Sequence, residues 1–146
     1  MSLFDSLSVS ASGMSAQRMR AALLVENIAN SETTRTPEGG PYRRKDAIFT
    51  TDQVGSAFGS ELDAQLGGQG STGVRVAGIS VDKSEPEKRY MPGHPDADAN
   101  GYVAFPKMNP AEDMVDLMSA NRSYQANVAA MSAVKDMIQK SIDLLK

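Results

Sequence analysis

Large apolar side chains return every seven residues towards the end of the chain. Leu117, Tyr124, Met131, Ile138 and Leu145 form one row, and Met114, Val128 and Ile142 form its neighbour, broken by Asn121 and Lys135. A seven-residue repeat drifts around a straight α-helix, so a row that persists over several turns favours left-handed winding about a partner. Near the start the same pattern is weaker. Leu7, Met14, Ala21 and Ile28 repeat by seven beside Leu3, Ser10, Gln17 and Leu24, with small and polar residues diluting the row. Such a stripe also serves as the core face of an ordinary globular helix, and what lies between the two stripes decides which reading applies.

Pro and Gly sort with this pattern. Between residues 3 and 30 the only breaker is Gly13, and from 109 onward it is Pro110; every other Gly and Pro falls within 31–108. The chain therefore reads as α+β: two long terminal helices, over 1–30 and 109–146, forming an antiparallel coiled-coil-like pair around a small β-rich, loop-rich insert over 31–108. The second helix has a strong start. Asn109 can accept from the free first-turn amides, Pro110 loses no needed N–H at the first helical position, and Glu112 occupies the capping-box position. Asp113 and Asp116 place negative charge near the positive end of the helix, while Lys140 and Lys146 lie near the other.

Within the insert a strand is predicted over 42–51, after the Gly39-Gly40-Pro41 turn. Val74 and Val76, then Ile79 and Val81, alternate with a phase slip at Ala77-Gly78 that predicts a β-bulge. Residues 55–73, rich in Gly, Ser and Gln, predict a flexible loop, and Tyr102 to Phe105 a short strand. The insert has few large apolar residues. The terminal stripes are thus expected to bury against each other or against other subunits, with ends weakly ordered in the isolated chain.

Composition narrows the function. The 146 residues suffice for one modest core; aromatics make up 5% with no Trp, fewer bulky anchors than a compact enzyme carries. A net charge of -3 gives no field towards nucleic acid or an anionic membrane, and without cysteine there are no disulfides or thiolate metal sites. The opening Met1-Ser-Leu-Phe-Asp-Ser-Leu-Ser has neither a basic nor an apolar signal region, so no cleavable signal is expected, nor any membrane insertion.

Candidate chemistry is sparse. His94, the one histidine, sits between two prolines in a turn with no second His or Cys to share a metal. Asp96-Ala-Asp98-Ala-Asn100-Gly101 matches half of a calcium loop, but Lys107 stands where a bidentate Glu is needed, so a plain turn is expected. Arg43-Arg44-Lys45 reads as an exposed strand edge rather than a nucleic-acid patch. The helical methionines at 14, 19, 114, 118, 131 and 137 read as adaptable packing. No catalytic, metal or cofactor site is expected. A coiled-coil adaptor or regulatory protein is the alternative, but it has no need of so long an insert.

Several short motifs, met in order, resemble the proximal-rod FlgC family of flagellar basal-body proteins. They are Met1-Ser-Leu-Phe, Ser10-Ala-Ser-Gly-Met14, Asn27-Ile-Ala-Asn30, Gly40-Pro-Tyr-Arg-Arg44, Pro92-Gly-His-Pro-Asp-Ala-Asp98 and Ala120-Asn-Arg-Ser-Tyr-Gln-Ala-Asn-Val128. The Asn-Ile-Ala-Asn element is shared by rod and hook proteins generally, and the stretch around His94 points to the proximal-rod member. One departure is Pro106-Lys-Met-Asn109, where the family is expected to show Pro-Asn-Val-Asn. The resemblance implies a structural subunit of the drive shaft, exported by the flagellar type III apparatus without a cleavable signal. Its partners would be other rod proteins, the rod-to-MS-ring adaptor and copies of itself in a helical array. The terminal helices would line an inner tube, with the insert outside. The expected subunit interface comprises Leu7, Met14, Ile28, Leu117, Tyr124, Val128, Met131 and Ile138. Asn27, Asn30 and Asn121 are expected to fix register, a polar group in a seam penalising mispairing; Asn30 could instead end its helix in a left-handed conformation.

Overall fold

The computed structural model describes residues 3–53 and 72–144. Most of the predicted loop over 55–73, and Leu145 of the heptad row, lie outside them. Helix α1 spans Leu3–Ala29 and α2 spans Pro110–Asp143, at opposite ends of the described chain. Between them come β1 (Lys45–Gln53), β2 (Thr72–Val81), β3 (Glu87–Tyr90) and β4 (Tyr102–Phe105). Thr72 and Gly73, predicted as loop, are already strand.

Local chemistry accounts for the helix ends. Asn109 caps α2 from an extended backbone, its side chain accepting from Ala111 N at 3.1 Å, with Pro110 beginning the helix. At the end of α1, Asn30 Nδ2 donates to Glu26 O at 2.9 Å and Ser31 Oγ to Ile28 O at 2.9 Å. Side chains thus satisfy the last-turn carbonyls. No non-glycine residue among those described has a positive φ, so the left-handed ending considered for Asn30 does not occur.

The helices run antiparallel. Arg20 meets Asp116 at 3.3 Å, while Gly13 lies so near Asn127 that a Cβ there would sit 3.0 Å from its Nδ2. At the centre of the seam small residues face each other: Ala16 is 3% exposed and Ala120 fully buried. Asp113, Ala120, Asn127 and Val134, seven apart, form the row of α2 turned most fully inward. Close approach of the backbones through Gly13, Ala16 and Ala120 narrows the seam, which is why the bulkier row of Leu117, Met131 and Ile138 is left half-buried at its margin.

The two hairpins of the insert are separate antiparallel pairs. β1 and β2 align from Lys45 opposite Val81 to Gln53 opposite Thr72. Ile48 faces Gly78 and Phe49 faces Val76, leaving Ala77 as the bulge that the phase slip predicts. The strand predicted from residue 42 begins only at Lys45, because Tyr42 N is bonded to Thr33 O at 3.0 Å instead of to a neighbouring strand. β3, not foreseen, pairs with β4 through Glu87–Phe105 to Tyr90–Tyr102. Val103, Phe105 and Pro106 are buried, and Tyr90 and Tyr102 meet edge to face at 5.4 Å.

Contrary to expectation, the helices do not have only each other. α1 packs on α2 and also on the β1–β2 ribbon. The paired register puts Ala47, Ile79, Phe49 and Val76 on one ribbon face. Leu23, Leu24, Ala47 and Phe49 line the cleft where α1 crosses it. The strands of the insert pack against α1 rather than α2, while Phe4, Met19 and Val25 of α1 stay exposed.

Candidate assembly surface and the node that positions it

Where the insert leaves α1, buried polar groups converge. Asn27 is fully buried. Its Nδ2 donates to Lys45 O at 2.9 Å, and its Oδ1 accepts from Lys45 N at 3.0 Å. One primary amide therefore pairs with both backbone groups of one residue, as a neighbouring strand would. The same Oδ1 accepts from Tyr42 Oη at 3.0 Å. Burial, then the negative charge of Glu26, pushes the Tyr42 phenol up to about 12, so it stays a donor well into the alkaline range. Lys45 Nζ closes the group on Glu26 at 2.6 Å.

The adjacent residue is held by the other helix. Arg44 Nε and Nη2 donate to Asp113 Oδ1 at 3.2 and 2.9 Å, and Asp113 is 1% exposed in the first turn of α2. Burial works against the charge of Arg44, but Asp113 and Asp46 outweigh it and raise the guanidinium's proton affinity above the ordinary value. Arg43 Nη1 donates to Asp82 O at 3.2 Å. Arg43 of the basic run is thus exposed as expected, whereas Arg44 and Lys45 are half-buried and paired with the two helices. Each cation is spent on a different internal partner.

The turn around His94 is also structural. His94 Nδ1 accepts from Asp96 N at 3.1 Å. Asp96 accepts from Thr34 Oγ1 at 2.8 Å and pairs with Arg35 at 2.7 Å, bracing the second hairpin against the segment after α1. Asp98 Oδ1 accepts from the amides of Asn100 and Tyr102. The half-match to a calcium loop is a turn whose carboxylates serve the backbone and a cation. An open groove is lined by Glu26, Glu38, Arg35, Arg43 and Lys45 among others, and these three cations already hold the partners named above.

Of the residues expected at an interface, Leu7, Met14, Ile28, Asn30, Leu117, Met131 and Ile138 are half-buried and Asn121 is exposed. Tyr124 and Val128 are each 40% exposed. Asn27 is wholly engaged inside the chain, so the register it fixes is that of α1 against β1. Further large apolar side chains stand open on α2, including Met114, Val115, Met118, Met137 and Ile142, each about half exposed or more. α1 contributes Phe4, 73% exposed. With small residues filling the seam, the large ones are turned away from it.

The flagellar basal body rod FlgEFG protein C-terminal family model matches residues 99–144, from the second hairpin to the end of α2. The chain is 43% identical to flagellar basal-body rod protein FlgC of Bacillus subtilis, the alignment spanning 100% of both. It is 41% identical to the FlgC of Borreliella burgdorferi, over 100% of this chain and 99% of the relative, and 37% identical to that of Salmonella typhimurium, over 99% and 98%. This chain belongs to the FlgC family. FlgC proteins are structural rod proteins rather than enzymes, and in this member Asn27 and Asp113 are buried where they hold its parts together. Asn27, Tyr42, Arg44 and Asp96 all come from the short motifs that carry the resemblance. Sequence reasoning missed Tyr42, Arg44, Lys45 and Asp113 as a group; the one available signal was that Asp113 begins the seven-residue row continued by Ala120, Asn127 and Val134.

Proposed function

We infer that this chain is a structural subunit of the flagellar basal-body rod, held among its neighbours by the apolar surface left open along α2. The observation that carries the reading is the mismatch between seam and stripe. The intramolecular seam is closed by Ala16, Ala120 and Gly13, whereas Met114, Met118, Tyr124 and Val128 remain in water. A row of large apolar groups at helical spacing calls for a partner surface. Other rod components supply it.

In finer detail, the chain joins copies of itself and the rod-to-MS-ring adaptor in a helical array crossing the periplasm. A head-to-tail contact that does not close on itself generates such an open array. Leu7, Met14, Leu117, Tyr124, Val128, Met131 and Ile138 contribute to its contacts, and Asn121, exposed beside them, sets register. Residues 1–30 and 109–146 line the inner tube, and 31–108 form the outer part. The chain reaches the rod through the flagellar export apparatus. Its work is mechanical, passing torque through packed surfaces. Among the described residues no helix is long and apolar enough to cross a membrane.

Tyr124→Asp and Val128→Asp test this reading, because both positions are open in the isolated chain and a carboxylate costs little there until it is buried. Each variant should keep the wild-type helical circular dichroism yet be absent from purified hook–basal bodies by mass spectrometry. Stoichiometric incorporation of both would refute the assignment of this surface.

A further inference from the structure

We propose that Asn27 and the Arg44–Asp113 pair are positioning residues that lock the insert to the helix pair, so that the subunit carries load as one rigid body. The proposal rests on the rod-subunit reading for its mechanical consequence, but its structural core stands apart. Single peptide connections do not hold an angle, since each residue leaves two soft dihedrals. Something besides the covalent path must fix the insert. Packing of α1 on the ribbon supplies part of it, and the polar node adds direction: consecutive residues at the root of β1 are gripped by different helices. Lys45 is held by α1, through both its backbone groups on Asn27 and its Nζ on Glu26. Arg44 is held by α2, through two donors on Asp113. A short segment pinned on two sides by two antiparallel rods can neither slide along them nor rotate between them.

The chemistry suits positioning better than stabilisation. Asparagine alone offers a donor and an acceptor at this reach; aspartate lacks the donor, and glutamine is one carbon longer. Asn27 is fully buried, so water does not compete for its bonds. A buried ion pair adds less stability than well-packed apolar groups of similar size, and its best-attested role is to set registry. Asp113 fits that pattern, with Oδ2 buried and without a partner among the described residues while Oδ1 takes both bonds.

The test uses the full-length chain and a packing control, Val134→Ala, which loosens the seam of α2 away from the node. In purified protein, Asn27→Ala should speed hydrogen exchange at the Lys45 amide at least tenfold while the seam amides around Ala120 hold; Val134→Ala should do the reverse. In cells carrying either variant, swimming should be normal in dilute medium, but only Asn27→Ala should fail in viscous medium. Arg44→Met/Asp113→Leu, which retains packing without the ionic link, should share that load-dependent loss even if Asn27→Ala folds poorly. Unchanged exchange at Lys45 overturns the lock, and equal behaviour of all variants under load overturns its mechanical role. Absence of the wild-type chain from purified basal bodies would refute the rod reading while leaving the exchange result to judge the lock.

Discussion

Arg44→Met is the most informative single perturbation of stability. Arg44 places Nη2 at 2.9 Å and Nε at 3.2 Å from Asp113 Oδ1, and the carboxylate is 1% exposed. Methionine keeps most of the apolar stem and removes the charge, stranding the carboxylate. Breaking a buried pair from one side typically costs about 3–5 kcal/mol. Two features pull the value down here. The Arg44 side chain is 31% exposed, so water screens part of the interaction. Asp113 also sits in the first turn of α2, where the helix dipole still favours a negative charge by roughly 0.3–1 kcal/mol. Asp46, 3.4 Å from Arg44 but half exposed, adds little. The expected loss is about 3 kcal/mol, which at roughly 2–4 °C per kcal/mol lowers Tm by about 10 °C. Urea and thermal unfolding followed by helical circular dichroism read both quantities. Adding Asp113→Leu should return most of the loss, because the stranded charge is then gone. If Arg44→Met cost under about 1 kcal/mol, or if the double variant were no more stable than the single, the electrostatic account of this pair would be wrong.

Tyr42 gives a pH prediction. Its phenol is raised from 10.0 to about 12 in the folded chain, first by burial. The stabilisation is therefore complete below pH 10 and lost as pH rises from 10 towards 12, amounting to roughly 2–3 kcal/mol over that window. Ultraviolet titration should show a late phenol phase near pH 12, and Tyr42→Phe should remove both that phase and the alkaline fall in stability. Gly101 has a φ of +80°, and a Cβ there would lie 2.9 Å from Tyr90 Cε2 and 3.2 Å from Pro92 Cβ. Gly101→Ala should cost about 1–3 kcal/mol through backbone strain and displacement of Tyr90, read as a lower urea midpoint; an unchanged midpoint would mean the turn relaxes freely.

The parts of the fold that depend on neighbours along the chain could be read from it. Breakers mark out both helices, Asn109-Pro110 fixes the start of α2, and the slip at Ala77 gives the bulge. β3 escaped because Glu87, Lys88, Arg89 and Tyr90 are all exposed, leaving no alternation to detect. The facing of α2 escaped for a different reason. Periodicity weighs large apolar residues, and this seam is closed by alanines and a glycine. The node was harder still. A buried Asn27, an Arg44 and an Asp113 look in sequence like surface polar residues, since nothing local reveals a partner 18 or 69 residues away. Polar groups were expected to face other subunits; several face one another.

The pairing of the first helix with the last also bears on the order in which the chain can fold. α1 is complete by Ala29, but its seam partner begins only at Pro110 and the Arg44–Asp113 bond spans 69 residues. Closing so long a loop costs entropy before any contact repays it, and contacts this distant in sequence slow folding. A chain that emerges N-terminus first therefore exposes α1 without its partner until the final stretch arrives. The antiparallel helix pair thus acts as a timing element, and the subunit closes only when its own end is in place.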